Sequence, residues 1–227
     1  SMSGDPADRS KYQIGVLREE QGRGGSALLH RIFAEGRRVF ISKPINHFPV
    51  DGTASKSFLM GGGIGITPMI AMAHQLNAQG RAFELHYSMS SRASAGYLDD
   101  LASMPWAQHV SLHVSDEGTR ADLDVLLGGY RDGWHVYTCG PDRYMEAVMQ
   151  AAERQGFTDE ARHLEYFSVP DVPEYENHAF TPKWASADWE IRARSAKNQR
   201  DTLDKHHVNE SGKAAPGQAR VAKGGSG

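Results

Sequence analysis

The segment Gly61-Gly62-Gly63-Ile64-Gly65-Ile66-Thr67-Pro68 constrains this chain more than any other. It follows a short apolar run, Ser57-Phe58-Leu59-Met60, and precedes a stretch, 68–79, in which Met69, Met72, Ala73 and Leu76 recur at i, i+3, i+4 and i+7 with Gly80 past the end. That order reads as strand, glycine turn and amphipathic helix closed by a C′ glycine. Glycines let the backbone turn tightly and approach a pyrophosphate closely, and the helix N-terminus adds unpaired N–H groups and the positive end of the dipole. Thr67 reads as the N-cap and Pro68 as the first helical residue, where a missing N–H costs nothing. Met69 and Met72 lie on the apolar stripe and read as core. A glycine-rich loop also serves as a plain turn; a strand before it and a helix after it point to dinucleotide binding.

The same alternation continues. Residues 83–89, 109–114, 134–139 and 162–167 read as strands. Residues 142–155 read as a helix with Met145, Val148, Met149 and Ala152 on its stripe and Gly156 at its end, and Thr119 reads as the cap of a helix over 120–127 with Asp122 at the third position. Strands alternating with helices predict an α/β fold with a doubly wound, parallel, five-stranded sheet, whose ligands bind at the carboxyl ends of the strands. Upstream, 11–18 and 38–42 read as strands flanking a helix over 27–34 that Gly22-Arg23-Gly24-Gly25-Ser26 opens. Pro44, Pro49 and Gly52 punctuate the loop that follows. Beyond Pro170-Asp171-Val172-Pro173 apolar residues thin out, and 181–227 reads as a disordered or loosely attached tail. His206-His207 within it reads as solvated rather than metal-binding, Asp99-Asp100 as a solvated helix face, and Trp106 and Trp134 as packing residues.

Composition narrows the function classes. The net charge of −3, with both signs mixed, gives no basic footprint for nucleic acid. No stretch approaches the roughly 18 continuous apolar residues of a membrane span. Ser1-Met2-Ser3-Gly4-Asp5 lacks the apolar region of a signal peptide, and Ser1 ahead of Met2 reads as a remnant of tag removal. The single cysteine, Cys139, allows no internal disulfide and no iron–sulfur cluster that needs four thiolates from this chain. The expectation is a soluble, cytoplasmic protein.

A second motif, Tyr137-Thr138-Cys139-Gly140-Pro141, ends the fourth strand, so Cys139 should face the same crevice as Gly63 and Gly65; taken alone, it reads better as a small buried hydrophobe. With both motifs on strand–helix junctions, the chain resembles the NAD(P)-binding half of the ferredoxin–NADP reductase superfamily. Within it the chain looks like the reductase components of Rieske oxygenases, the phthalate dioxygenase reductase and vanillate demethylase reductase group. The likeness runs from about residue 5 to about 180. It implies that Gly63, Gly65, Thr67 and Pro68 hold the pyrophosphate and nicotinamide side of NADH. Cys139, Gly140 and Pro141 would lie beside the nicotinamide C4, and Tyr87, Ser88 and Arg92 at the adenosine half. His163-x-Glu165-x-Phe167 would put Phe167 near a flavin ring, and Gly24, Gly25 and Ser26 would hold the phosphate of FMN (or FAD). Asn46-His47-Phe48-Pro49 matches a signature of the same family. Thr67, Cys139 and Glu165 would orient the reacting rings without an acid–base step.

The resemblance also implies a domain plan: 1–52 a partial antiparallel flavin-binding barrel, 53–180 the NAD(P)-binding domain, 181–227 the tail. Two features depart from the family. The Arg-x-Tyr-Ser motif that stacks on the flavin does not occur ahead of Gly4-Asp5-Pro6, and no four-cysteine [2Fe–2S] domain follows Phe180. The expected whole is an NADH-dependent flavin reductase passing electrons to an oxygenase component or its ferredoxin, with this chain an incomplete form. The other reading is a nucleotide-binding module without turnover.

Overall fold

The computed structural model describes residues 1–167, Glu20 and Arg23 excepted. The expected tail and His206-His207 lie outside the described residues. Two units divide the chain, 1–32 with 44–168 and 33–43 with 169–227. Residues 33–43 contain neither helix nor strand and expose Val39, Phe40 and Ile41.

The larger unit is built on five parallel strands: β1 (Lys56–Gly62), β2 (Ala82–Met89), β3 (Val110–Val114), β4 (Trp134–Cys139) and β5 (Arg162–Glu165). Their order is β3-β2-β1-β4-β5, so the chain winds outward from β1 in both directions and the order reverses between β1 and β4. Helix α1 (Gly25–Ile32) precedes the sheet, while α2 (Ile66–Ala78), α3 (Leu98–Ser103), α4 (Leu123–Leu126) and α5 (Asp142–Arg154) alternate with its strands. β1 is buried on both faces, as a central parallel strand must be. Leu59 joins Met69, Ala73, Leu76, Leu85 and Trp106 in the core that includes α2, while Phe58 and Met60 join Val136, Val148, Ala152 and Phe157 in the core that includes α5.

The helix stops form as expected. Gly80 (φ +64) and Gly156 (φ +93) follow the caps of α2 and α5, and the next N–H in each case returns to a carbonyl of the last turn, from Arg81 to Leu76 and from Phe157 to Ala152. Trp106 and the α2 methionines are buried.

Other expectations are corrected. Residues 11–18 and 38–42 form no strands; among the described residues their one bridge is an antiparallel pair, Met2 with Ile14. Propensity makes no strand without a ladder neighbour; within 11–18 the Gln13 carbonyl accepts instead from Ser3 N at 2.9 Å and the Val16 carbonyl from the His30 ring at 2.8 Å. Helix α2 begins two residues earlier than expected, because Gly63–Gly65 form a 3₁₀ turn that leads straight into it. Its N-cap is therefore Gly65, and Thr67 and Pro68 both lie inside the first turn. Thr119 does not cap α4. Its hydroxyl accepts the Val114 N–H at 2.9 Å and donates to the Val114 carbonyl at 3.2 Å, and Asp122 caps a four-residue helix instead, accepting from Val125 N at 3.1 Å. Ala151 rather than Met149 completes the buried stripe of α5. β5 ends at Glu165, leaving Tyr166 and Phe167 beyond the ladder.

Candidate dinucleotide site

The carboxyl edge of the sheet collects most of the expected residues. Across β2, β1, β4 and β5, Tyr87, Gly61, Cys139 and Glu165 pair in one row. This row spans the reversal of strand order, where the helices leave toward opposite faces and open a crevice.

The glycines here perform different tasks. A Cβ on Gly65 would fall 2.1 Å from the Cys139 carbonyl oxygen, and one on Gly140 would fall 2.9 Å from Gly62 Cα. These glycines let the α2 start and the β4 end close on one another, so the two sequence motifs form one packed unit. Gly63 alone among Gly61, Gly62, Gly63 and Gly65 has a positive φ, +53, and a side chain there would meet nothing within 4 Å. It is the member of the loop that offers bare backbone to a ligand.

Thr67 is fully buried and its hydroxyl donates to the Ile64 carbonyl at 3.0 Å, which fixes the 3₁₀ turn. Pro68 is buried in the first turn of α2. Cys139 is buried, and burial, reinforced by the Glu165 charge, pushes its thiol up to about 12. At neutral pH it is a neutral, small, polarisable wall and no nucleophile. Glu165 is half-buried and accepts from the Ser1 hydroxyl at 2.6 Å. Pro141 stands at the N-cap of α5. Phe167 lies past the end of β5, 40% exposed.

Beside the glycine turn lies a cleft of about 300 Å³ whose lining includes Gly63, Ile64, Tyr87, Tyr97, Gly15 and Val16. Burial raises the Tyr87 phenol, which is hydrogen-bonded by the Gly96 backbone. Tyr97 is the one non-glycine among the described residues with positive φ, +67, and its hydroxyl shares a 2.9 Å hydrogen bond with Ser3. Side chains adopt that backbone region rarely, and such outliers concentrate at functional sites. Nothing in the sequence around Tyr97 announces it. Ser88, paired with Gly62, lies instead toward Tyr144 of α5. Arg92 lies past the end of β2 in a two-pronged ion pair with Glu117, at 2.8 and 3.2 Å, which sequence reasoning missed because the partners sit on separate turns. Gly24 (φ +85) and Gly25 stand open at the start of α1, while the Ser26 hydroxyl accepts the Glu19 N–H at 3.0 Å. A broader hollow of about 490 Å³ between α4 and α5, lined by Arg120, Asp124 and Arg154 among others, contains none of the expected residues.

No family model matches the chain. It is similar to the vanillate O-demethylase oxidoreductase of Acinetobacter baylyi, 32% identical over 207 residues, covering 91% of this chain and 65% of the relative. It is also similar to the carnitine monooxygenase reductase subunit of Escherichia coli, 40% identical over 171 residues, covering 75% and 53%. Among solved structures, phthalate dioxygenase reductase superposes with a TM-score of 0.71 at 33% identity, covering 90% of this chain and 65% of the other. The chain thus spans less than two thirds of these relatives. A 207-residue match cannot fit within residues 1–180, so the likeness extends past the limit expected from the motifs. Identity at this level, with the interlocked motifs and the strand order, gives the chain the ferredoxin reductase-like fold of phthalate dioxygenase reductase and makes it similar to reductase components of oxygenase systems.

Proposed function

We propose that this chain is the NADH-binding part of a flavin-dependent reductase that supplies electrons to an oxygenase component or its ferredoxin. The observation that carries the reading is the meeting of the two motifs at the strand-order reversal, with Gly65 against Cys139 and Gly63 open beside them. Residues 53–180 are the nucleotide domain and 1–52 the chain's share of a flavin barrel. The compartment that fits a pyridine-nucleotide enzyme is the cytoplasm; no helix among the described residues is long and apolar enough to cross a membrane.

The residues present fit a dinucleotide. The bare Gly63 backbone and the start of α2 suit a pyrophosphate, and the neighbouring cleft suits the adenosine. When bound, NADH supplies a hydride and flavin accepts it. Thr67 holds the turn rigid from inside, while Glu165, with the fully buried Cys139 behind it in the same row, would border the nicotinamide ring and help to orient it, the contribution that positioning makes to such a transfer. For the flavin the fit is limited to the phosphate end, at Gly24 and Gly25.

A second reading, a nucleotide-binding module without turnover, draws on the Ser26 hydroxyl being engaged by Glu19. Titrating the purified chain with NADH, with and without FMN, tests both. Saturable NADH binding is expected in either case, and its absence would overturn the dinucleotide assignment. Binding without a flavin spectrum, and without NADH oxidation when ferricyanide and FMN are added, would favour the module.

A further inference from the structure

Tyr144, in the first turn of α5, lies outside both motifs yet touches each of them. A Cβ on Gly62 would fall 2.7, 3.1 and 3.1 Å from three atoms of its ring, so the ring lies flush against the backbone that opens the glycine turn. Gly62 is in turn the residue against which Gly140 closes, and Tyr144 follows Gly140 by one short turn of chain, its N–H bonded to the Pro141 carbonyl at 2.9 Å. Ring, Gly62 and Gly140 thus form a closed triangle between β1 and α5. Its third side carries Cys139 and, packed against the Cys139 carbonyl too closely to admit a Cβ, Gly65.

The hydroxyl behaves differently from the ring. Its oxygen is shielded from solvent and has no hydrogen-bond partner of normal geometry; Ser88 is the side chain facing it, close enough to oppose slightly the effect of burial, which pushes the phenol up to about 12. A buried donor left unpaired is a cost rather than a benefit. The contacts on the glycine turn are thus made by the flat aromatic surface and not by the hydroxyl.

We infer that Tyr144 is a positioning residue for dinucleotide binding, its ring setting the height of Gly62 and hence of the open Gly63 backbone relative to Cys139. The inference rests on the dinucleotide reading given above. Four variants of the full chain test it, each titrated with NADH after circular dichroism has confirmed a native fold. Tyr144→Phe keeps the surface and should bind within about twofold of the parent while melting no lower, since it removes an unpaired buried hydroxyl. Tyr144→Leu removes the flat wall and should weaken NADH about tenfold, as small misplacements of a site do. Gly62→Ala drives a methyl into the ring and should weaken binding as strongly, and adding Tyr144→Leu to it should recover part of the loss. A purely structural residue would lower the melting midpoint in these variants while leaving the NADH affinity of the folded protein unchanged. Parent-like binding by Tyr144→Leu, or equal weakening by Phe and Leu, overturns the role. Should Tyr144→Leu not fold, parent-like NADH binding by Gly62→Ala refutes the role by itself. If the parent chain binds no NADH, the dinucleotide reading falls first and this role with it.

Discussion

Gly65 gives the sharpest test of how the site is held together. Its φ is −64, an ordinary helical value that alanine adopts freely, so Gly65→Ala carries no dihedral penalty. Space is what it lacks. The new Cβ would lie 2.1 Å from the Cys139 oxygen, 2.3 Å from its carbonyl carbon and 2.6 Å from Gly140 N, all backbone atoms. Ordinary contact begins near 3.4 Å, so the α2 start and the β4 end must part by more than 1 Å, and neither can rotate away as a side chain could. Overpacking costs about 1–3 kcal/mol when side chains give way, and a clash between two sheet-anchored backbones belongs at or above the top of that range, about 3 kcal/mol or more. For a domain of this size about 1 kcal/mol corresponds to roughly 2–4 °C, so the melting midpoint should fall by about 6–12 °C. Gly63→Ala is the contrasting change, with open space but φ +53. Its cost is the left-handed backbone alone, about 1–2 kcal/mol, and Gly63→Asn should recover part of it because asparagine tolerates that region. Thermal melts followed by circular dichroism should rank the losses Gly65→Ala, Gly63→Ala, Gly63→Asn. A Gly65→Ala midpoint within about 2 °C of the parent would show that α2 and β4 are not packed as described.

Three further outcomes follow from the geometry. Cys139, buried with its thiol pushed up to about 12, should resist a disulfide reagent at pH 8 in the native chain and react only on denaturation; rapid native labelling would refute its placement. Arg92 is committed to Glu117 with Asp116 adjacent and is not free to reach a 2′-phosphate: calorimetry should find NADH bound more tightly than NADPH, with Glu117→Gln narrowing the gap, and a parent chain preferring NADPH would contradict this. Burial, the leading cause in each case, lowers His74, His86, His113 and His163 below the ordinary 6.5, so below that value the unfolded chain binds more protons than the folded one. Stability is therefore present above 6.5 and lost as pH falls, and the midpoint should drop between pH 7 and pH 5, before carboxylates contribute; a flat or rising profile would refute the assignment.

The sheet was legible because its strands and the long helices α2 and α5 carry their own period and their own punctuation. Trp134 to Cys139 matches the observed β4 end to end, and Gly80 and Gly156 stop their helices where the pattern breaks. What failed were inferences needing knowledge of a partner. Lys11 to Arg18 has the alternation of a strand, but alternation describes a surface, and a strand exists only beside another. Thr119 has the chemistry of a cap, yet the β3 end competes for the same hydroxyl and wins, with hydrogen bonds to both Val114 backbone groups. The short α3 and the left-handed Tyr97 have no periodic signature to find.

The site was legible for a reason different from the one the pattern suggests. A glycine-rich loop before a helix reads as a phosphate cradle, every glycine making room for ligand. Here Gly61, Gly62 and Gly65 make room for protein: for Ile66, for the Tyr144 ring and for the Cys139 carbonyl. Only Gly63 leaves its space open. The loop and the Cys139-Gly140-Pro141 segment are each other's packing partner, and a substitution in one is felt first as a displacement of the other. Loss of dinucleotide binding after such a substitution would therefore not by itself identify a ligand contact. At Gly63, where the space is empty, a side chain that keeps the +53° backbone tests contact alone. Gly63→Asn should leave the melting midpoint closer to the parent than Gly63→Ala does, while still obstructing the pyrophosphate and weakening NADH about tenfold or more. Undiminished NADH affinity in a well-folded Gly63→Asn protein would mean that the dinucleotide does not cross this turn.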